Sequence, residues 1–399
     1  MALTEKGKIA LSYVEKYFPN GESFCAKELS DKSGEKIYAA TLNGVVNEGF
    51  LIKIGGSPVE YKAVSELKEM INNLSESSDG CDNTNLNKAK KEKNDEFYTR
   101  YEDIELEVMK YRKQFRDKIV YLPCDDPAEK KSEFWSFFVN NFDAFGLKKL
   151  IATHYSEDGK AYKIWIDGDL NGDGYVDDGD AQQEDLVGNG DFRSPECVEI
   201  LEECDIVCTN PPFSMFREFV NWIITKNKSF LIIGNNNAIS YKEIFPLIKN
   251  NKLWTGYTSN KTMTFKVGEG YAYDEKITKQ INDGNFYGKV PAVSWFTNLK
   301  TFKRNEELIL TAKYNPIDYP KYDNYDAIEV SKVVDIPKDY DGIMGVPITF
   351  IDKYNPDQFE IIGLDRYTVP KEFLVGGRVA IDGKPRYARI LIRRKNYGN

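Results

Sequence analysis

Apolar residues recur at helical spacing through the first 18 positions, with Ile9, Ala10, Tyr13, Val14 and Tyr17 on one face. Pro19-Asn20-Gly21 breaks that run. A short helix is predicted over 26–29, a turn over 31–34, and another helix over 35–47 with Ile37, Ala40, Leu42 and Val45 inward and Gly49 placed to end it. FLIKIGGSPVEYKAV then alternates apolar and polar residues around Gly55-Gly56, which predicts a β-hairpin. Residues 73–93 lose all periodicity and turn lysine-rich, the pattern of a linker. Beyond Asn94 the pattern changes again. KIVYL (118–122), LKKLIA (147–152), DIVCT (205–209) and SFLII (229–233) predict buried strands, with helices over 134–142, 198–202 and 214–225 between them. Strands separated by helices predict an α/β fold with a doubly wound, mostly parallel sheet. Such sheets bind ligands at the carboxyl ends of their strands.

The pattern divides the chain into a small unit (1–72), a linker (73–93) and a large α/β domain (94–399). The order of helices and hairpin in the first unit resembles the winged-helix fold. That resemblance implies a third helix in the major groove and a wing on the backbone; the same shape also serves dimerisation or protein docking.

Composition removes several classes. No run of about 18 apolar residues is present, so no membrane partner is expected. The charged, amphipathic N-terminus lacks the apolar core of a secretory signal. The 6 cysteines form no CxxC pair and the chain has 1 histidine, His154, so a zinc finger is excluded, and a histidine-based triad would have to use His154. Reduced thiols and a cytoplasmic location are expected. A net charge of −9 speaks against nucleic acid only until its distribution is seen. Residues 151–210 carry 16 acidic against 3 basic side chains, which leaves the rest of the chain net positive. Residues 360–399 carry 9 basic against 4 acidic, a basic surface or a solvated tail.

The most informative motif, Asn210-Pro211-Pro212-Phe213, directly follows the strand DIVCT. The exocyclic amine of adenine is a poor nucleophile because its lone pair is delocalised into the ring. Acceptors at the Asn210 side chain and the Pro211 carbonyl can hold both amino hydrogens and stabilise positive charge as a methyl group arrives. The prolines stiffen the turn, and Phe213 can stack on a base taken out of the duplex. The bland alternative is a proline-rich strand-to-helix loop.

NDEFYTRYEDIE (94–105), VYLPCDDP (120–127), GLKKLIAT (146–153), GDFRSPE (190–196), DIVCTNPPFSMFRE (205–218), PKYDNYDAI (320–328), YDGIMGVPITF (340–350) and RILIRRK (389–395) together resemble the EcoRI-type adenine-specific DNA methyltransferase family. The similarity runs in matching order from about Leu86 to the C-terminus. The resemblance implies the doubly wound methyltransferase fold, S-adenosylmethionine as cofactor, duplex DNA as partner, and methylation of the N6 amine of adenine at a specific site. It places Asn210, Pro211, Pro212 and Phe213 in the catalytic motif. It places Phe97, Tyr98, Thr99, Asp125, Asp126, Asp191 and Phe192 at the cofactor, with Asp191 on the cofactor's amino group and Phe192 against its adenine face. Trp295-Phe296 falls where a second wall for the flipped base is expected. The glycine-rich turn of the wider methyltransferase pattern is replaced by YLPCDDP, a feature this family shares. No metal is needed for the chemistry, and a cognate restriction endonuclease is a possible partner. Rival readings are methylation of RNA or of protein glutamine, and a winged-helix DNA-binding regulator with an inactive methyltransferase body.

Further signals remain ambiguous. Asp169 to Asp180 matches a twelve-residue calcium loop with Gly174 at its sixth position, or is a solvated acidic loop. Cys204 and Cys208 read as core residues. Arg378, Arg386, Arg389, Arg393 and Arg394 suit phosphates or guanines, or form the exposed face of an ordinary strand. Lys88, Lys90, Lys91 and Lys93 suit phosphates or solvent.

Overall fold

In the computed structural model, residues 5–18, 22–47, 51–55, 59–63, 97–125, 133–156, 160–267, 278–280 and 285–395 are described. The chain divides into two units, Met1–Asp82 and Asn83–Asn399. The linker 73–93 with its lysines, Gly49, Gly56 and Asp126 lie outside the described residues.

The first unit runs α1 (Glu5–Tyr17), β1 (Phe24–Cys25), α2 (Ala26–Ser33), α3 (Ala39–Asn47), β2 (Leu51–Gly55) and β3 (Glu60–Ala63). Its strands form an antiparallel sheet in the order β1-β3-β2. Leu11, Val14, Phe18, Phe24, Leu29, Leu42, Val45 and Tyr61 build its core. The buried stripe of α1 passes through Ala10, Leu11 and Val14, while Tyr13 and Tyr17 stay half-buried at the rim, where a phenol keeps its hydroxyl wet. α2 is longer and α3 starts later than the periodicity predicts. Gly34 takes a left-handed φ of +74° after Ser33, and its N–H bonds to the Ser30 carbonyl at 3.0 Å, closing α2 there.

The second unit begins with α4 (Tyr101–Val108), β4 (Ile119–Leu122), α5 (Phe134–Asn140), α6 (Phe142–Phe145) and β5 (Lys149–His154). An antiparallel pair, β6 (Tyr162–Ile166) and β7 (Gln182–Asp185), precedes α7 (Pro195–Glu203), β8 (Ile206–Thr209), α8 (Phe216–Thr225) and β9 (Ser229–Asn235). Then come α9 (Phe245–Lys249), β10 (Trp254–Thr255), β11 (Lys261–Val267), β12 (Thr278–Gln280) and the long β13 (Phe286–Thr297). The main path of the sheet is β10-β13-β9-β8-β4-β5-β6-β7, with β11 and β12 also paired to β13. The expected parallel arrangement holds through the centre, β9-β8-β4-β5. Both wings are antiparallel.

Strand alternation sorts the central residues onto two faces. Tyr121, Ile151, Val207, Phe230 and Ile232 pack with α7 and α8 on one face. Val120, Leu122, Leu150, Cys208, Leu231 and Ile233 pack with α4, α5 and α6 on the other. Helices on both faces are what a doubly wound sheet requires. α7 begins before the predicted helix, because Ser194 caps it and Pro195 occupies its first turn.

The chain ends in a second sheet: β14 (Ile328–Glu329), β15 (Met344–Pro347), β16 (Phe359–Leu364) and β19 (Arg389–Arg394), ordered β14-β15-β19-β16. A short helix, α10 (Asp365–Thr368), and the small hairpin β17 (Ala380–Ile381) and β18 (Lys384–Pro385) precede β19. Met344, Val346, Ile390 and Ile392 join the same apolar cluster as α8 and α9, which fixes this sheet against that face of the unit. No helix among the described residues is long and apolar enough to cross a membrane.

Candidate active site

β4 and β8 lie side by side, with Val120 opposite Ile206 and Tyr121 opposite Val207. From β4 the chain continues outward to β5; from β8 it continues to β9 on the other side. The strand order therefore reverses between β4 and β8, and a crevice at their carboxyl ends is the expected ligand position. Pro123, Cys124 and Asp125 stand at the end of β4, and Asn210 to Phe213 at the end of β8.

The Asn210 side chain is held from behind: its Nδ2 donates to the Phe97 carbonyl at 2.6 Å. That bond fixes the amide so that Oδ1 is the free end. Oδ1 is buried and has no hydrogen-bond partner among the described residues, and neither has Thr99 Oγ1. A buried acceptor without a donor is costly unless a ligand supplies one. Pro211 is buried, Pro212 is half-buried, and Phe213 opens a short 3₁₀ turn (Phe213–Met215) that leads into α8.

Phe213 is itself largely covered. Its ring lies 5.3 Å from Phe97, which lies 5.4 Å from Phe265 on β11. Tyr98 exchanges two backbone hydrogen bonds with Lys266, each 3.0 Å, so the 97–99 segment runs as a strap between the Asn210–Phe213 loop and β11. Glu107 ties α4 to the segment that leads into β11. Fully buried on α4, it accepts from the Tyr111 hydroxyl at 2.9 Å and from the Tyr257 and Thr258 N–H groups at 2.7 Å each. Burial pushes its carboxyl above the ordinary range, against the pull of these donors.

On the β4 side, Asp125 is buried and accepts the Trp135 N–H at 2.6 Å. Burial pushes the Cys124 thiol up to about 12, with the charges of Asp125 and Asp191 adding to it. Burial also raises Cys208. Neither cysteine is a thiolate at neutral pH, so neither suits a nucleophile. Asp191 is bound by its neighbour: Arg193 Nε and N–H donate to Oδ1 at 2.8 and 2.9 Å, which holds the carboxyl below its usual range. The Phe192 ring is occupied by Phe219, Trp222 and the Arg193 guanidinium, so the open aromatic face expected there is not presented.

Two other expectations are corrected. Trp295 and Phe296 are fully buried in β13 between β9 and β10, one in each apolar cluster, and form no wall of the crevice. The aromatic residue that β11 brings beside the catalytic loop is Phe265. Its inward position was readable from the alternation in KTMTFKV, but its proximity to Phe97 was not. Arg389 contacts no open surface: it grips buried Glu329 at 2.5 Å through its terminal nitrogen and at 3.0 and 3.1 Å through Nε. Arg378 lies 3.4 Å from buried Asp365, and Arg393 lies 3.8 Å from Glu360.

The acidic loop from Asp169 to Asp180 turns its carboxylates onto its own backbone. Asp169 accepts from Gly172 and Gly174, and Asp180 accepts from Leu170, Asn171 and Asp177. Among the described residues no group of three or more His, Cys, Asp or Glu side chains is placed to hold a metal ion.

Packing behind the catalytic loop is tight at Gly234 on β9, where an added Cβ would fall 2.4 Å from the Phe216 ring. Gly234→Ala is expected to destabilise the protein by about 1–3 kcal/mol through overpacking. It should also lower transfer by displacing the first turn of α8, as read from thermal melts and turnover on the same preparation. Unchanged melting would show that Phe216 yields freely.

This strand order, its reversal between β4 and β8, and an Asn-Pro-Pro-Phe turn at the end of β8 are consistent with an α/β methyltransferase fold. The chain belongs to the EcoRI adenine-specific methyltransferase family, whose model, described as "Adenine-specific methyltransferase EcoRI", matches residues 85–395. It is 46% identical over 322 residues to the Type II methyltransferase M.EcoRI of Escherichia coli, covering 78% of this chain and 96% of that one. It is 41% identical over 324 residues to the Type II methyltransferases M.MgeORF184P of Mycoplasma genitalium and M.MpnI of Mycoplasma pneumoniae, covering 78% of this chain and 98% of each relative. No solved structure matches the chain. It is a DNA adenine methyltransferase.

Proposed function

We propose that this enzyme transfers a methyl group from S-adenosylmethionine to the N6 amine of one adenine within a specific duplex sequence, in a restriction-modification setting and in the cytoplasm. The observation that carries the reading is Asn210: a buried, unpartnered Oδ1 on an amide whose other end is fixed to Phe97. An adenine amine supplies the missing donors, one hydrogen to Asn210 Oδ1 and one to the Pro211 carbonyl. Acceptors fixed before the base arrives would spend their stabilisation on the charge that develops during transfer. The relatives named Type II methyltransferases support the restriction-modification setting and, with it, a cognate endonuclease as partner.

The residues at the end of β4 fit the cofactor. Thr99 Oγ1 is a buried oxygen without a partner among the described residues, and the carboxylates of Asp125 and Asp191 are both close enough to Cys124 to raise its thiol. Phe97, Tyr98, Thr99, Asp125, Asp126 and Asp191 would hold it, with Phe192, packed on Phe219 and Trp222, next to Asp191 in sequence. The bound cofactor supplies an activated methyl group, which the adenine amine attacks directly. Extruding the base costs a few kcal/mol. Its entry has to part Phe97 from Phe213, because that contact covers the stacking face. Phe213→Ala is therefore expected to lower turnover by about tenfold or more while duplex affinity changes little. Equal losses in both would sink its assignment to the extruded base.

The first unit supports a winged-helix reading, with α3 as the groove-facing helix and the β2–β3 hairpin as wing. The order α1-β1-α2-α3-β2-β3 and the β1-β3-β2 sheet are the supporting observations.

Incubation with tritiated S-adenosylmethionine and DNA, RNA and protein acceptors tests the whole reading. Label is expected in duplex DNA alone, recovered as N6-methyladenine after digestion. Label in RNA or protein, or in none of the three, would overturn it.

A further inference from the structure

Arg378, Arg389 and Arg393, which the sequence offers for DNA contact, all lie against carboxylates. The cations of the β11–β13 arm lie in a different setting. β13 pairs with β9 only through Val293–Thr297, and Val293 stands opposite Asn235, the last residue of β9. Residues 286–292 of β13, with β11 beside them, therefore run on past the carboxyl edge of the sheet, the edge that carries the Asn210–Phe213 loop. Ala292, with a left-handed φ of +55°, stands where the strand leaves β9.

Strand alternation gives this arm two unlike faces. Met263, Phe265 and Val267 are buried, and the Phe265 ring lies 5.4 Å from Phe97, whose own ring meets Phe213. The opposite face carries Thr264 and Lys266 of β11 and Lys289 of β13. The pairing is regular here, with Thr264 opposite Lys289 and Lys266 opposite Tyr287. Lys266 and Lys289 are thus diagonal neighbours on one face, with Cα atoms about 7–8 Å apart. Lys266 is half-buried and Lys289 is exposed. Neither β11 nor β13 contains an aspartate or glutamate, and among the described residues no carboxylate pairs with either lysine. In a chain of net charge −9 this face is a local exception, complementary in sign to phosphate.

An extruded nucleotide stays tethered to the phosphates on either side of it. Those phosphates must come to rest close to the crevice that receives the base. Lys266 is tied to that crevice by its two backbone bonds to Tyr98, the residue after Phe97. A lysine meets a phosphate as a point charge on a flexible stem, so two of them on one strand pair can follow a backbone without a fixed geometry.

We propose that Lys266 and Lys289 are phosphate contacts for the DNA strand next to the extruded adenine, and that this face of the β11–β13 arm lies on the duplex backbone. The proposal rests on the DNA-adenine reading and adds to it which surface the duplex covers. Phosphate contacts position the duplex and carry no sequence information, so the two lysines act on every sequence alike.

The test is the salt dependence of duplex binding by the full chain, read by fluorescence anisotropy on random-sequence duplexes. Each of Lys266→Gln and Lys289→Gln is expected to reduce the slope of log affinity against log salt by about 0.9, and the double variant by about twice that. At 0.15 M salt each contact corresponds to about a fivefold loss of affinity. The double arginine variant, Lys266→Arg with Lys289→Arg, keeps both charges and should keep the wild-type slope. Lys148→Gln, an exposed lysine at the amino end of β5 and so at the opposite edge of the sheet, should leave the slope unchanged. S-adenosylmethionine affinity, measured on the same preparations, should stay at the wild-type level and reports that the fold is intact. An unaltered slope in the double glutamine variant, an equal drop in Lys148→Gln, or a double arginine variant as shallow as the double glutamine one overturns the assignment. The tritium assay on the wild-type chain keeps the two readings apart. Labelled DNA adenine beside an unaltered slope sinks the lysine contacts alone; no label in DNA sinks the enzymatic reading and the contacts with it.

Discussion

Asn210→Ala is expected to abolish methyl transfer while leaving S-adenosylmethionine binding close to wild type. The side chain sits at the end of β8 with its Nδ2 on the Phe97 carbonyl, and its Oδ1 has no other group to serve. On the proposed reading, truncation removes the acceptor that would meet the reacting amine. Losing one preorganised group of this kind costs about 10²–10³-fold in turnover, or about 3–4 kcal/mol. Here the loss should lie at the upper end or beyond, because the tie to the 97–99 strap is lost as well. Asn210→Asp separates the two roles. It retains an acceptor but cannot donate to Phe97, so it should keep a trace of activity that the alanine variant lacks. Single-turnover transfer to unmethylated plasmid DNA, with cofactor binding measured separately, gives both readings. Near-full activity in Asn210→Ala would remove the catalytic assignment altogether.

The Asn-Pro-Pro-Phe motif and its place at the end of a strand are legible in the sequence because they are local. A buried four-residue strand, a stiff Pro-Pro turn and an amphipathic helix occupy one continuous segment, and the chemistry of an amide beside two prolines can be reasoned from that segment alone. What supports the motif is not local. The Asn210–Phe97 bond joins positions 113 residues apart, and the Glu107 bonds to Tyr257 and Thr258 join positions 150 and 151 apart. No periodicity announces such pairs. Trp295 and Phe296 misled for a related reason. An aromatic pair late in the chain looks like a binding wall, but neighbours in a strand point to opposite faces. In a strand paired on both edges and covered on both faces, each becomes core. The acidic insertion between its strands hides the antiparallel wing β6–β7 in the sequence, and Gly34, which looks like part of a turn, is the cap that ends α2 and delays α3 to Ala39.

Arg389 shows how the same basic segment supports opposite readings, and its removal is the second large effect expected. RYARILIRR alternates as a strand with a basic edge, which suits phosphate contact. In the fold, Arg389 starts β19, the strand between β15 and β16, and its guanidinium closes on Glu329, whose carboxylate also receives the Tyr322 hydroxyl. Glu329 is 2% exposed, so Arg389→Ala would leave a buried carboxylate with only the Tyr322 and Ser331 hydroxyls and the more distant Arg386 guanidinium, 3.7 Å away. Breaking a buried pair from one side costs about 3–5 kcal/mol, because the remaining charge has lost its solvent and its partner. For a unit of this size that corresponds to a fall in melting temperature of roughly 5–8 °C. Replacing both members, Glu329→Leu with Arg389→Met, should recover most of the loss, since no unpaired charge remains. Arg389→Lys should recover little, because a single ammonium cannot reproduce the two-pronged grip. A DNA-contacting arginine predicts the reverse pattern: unchanged melting, weaker duplex binding and a shallower salt slope. Thermal melts and anisotropy on the same variants therefore decide whether Arg389 holds the C-terminal sheet together or touches the duplex.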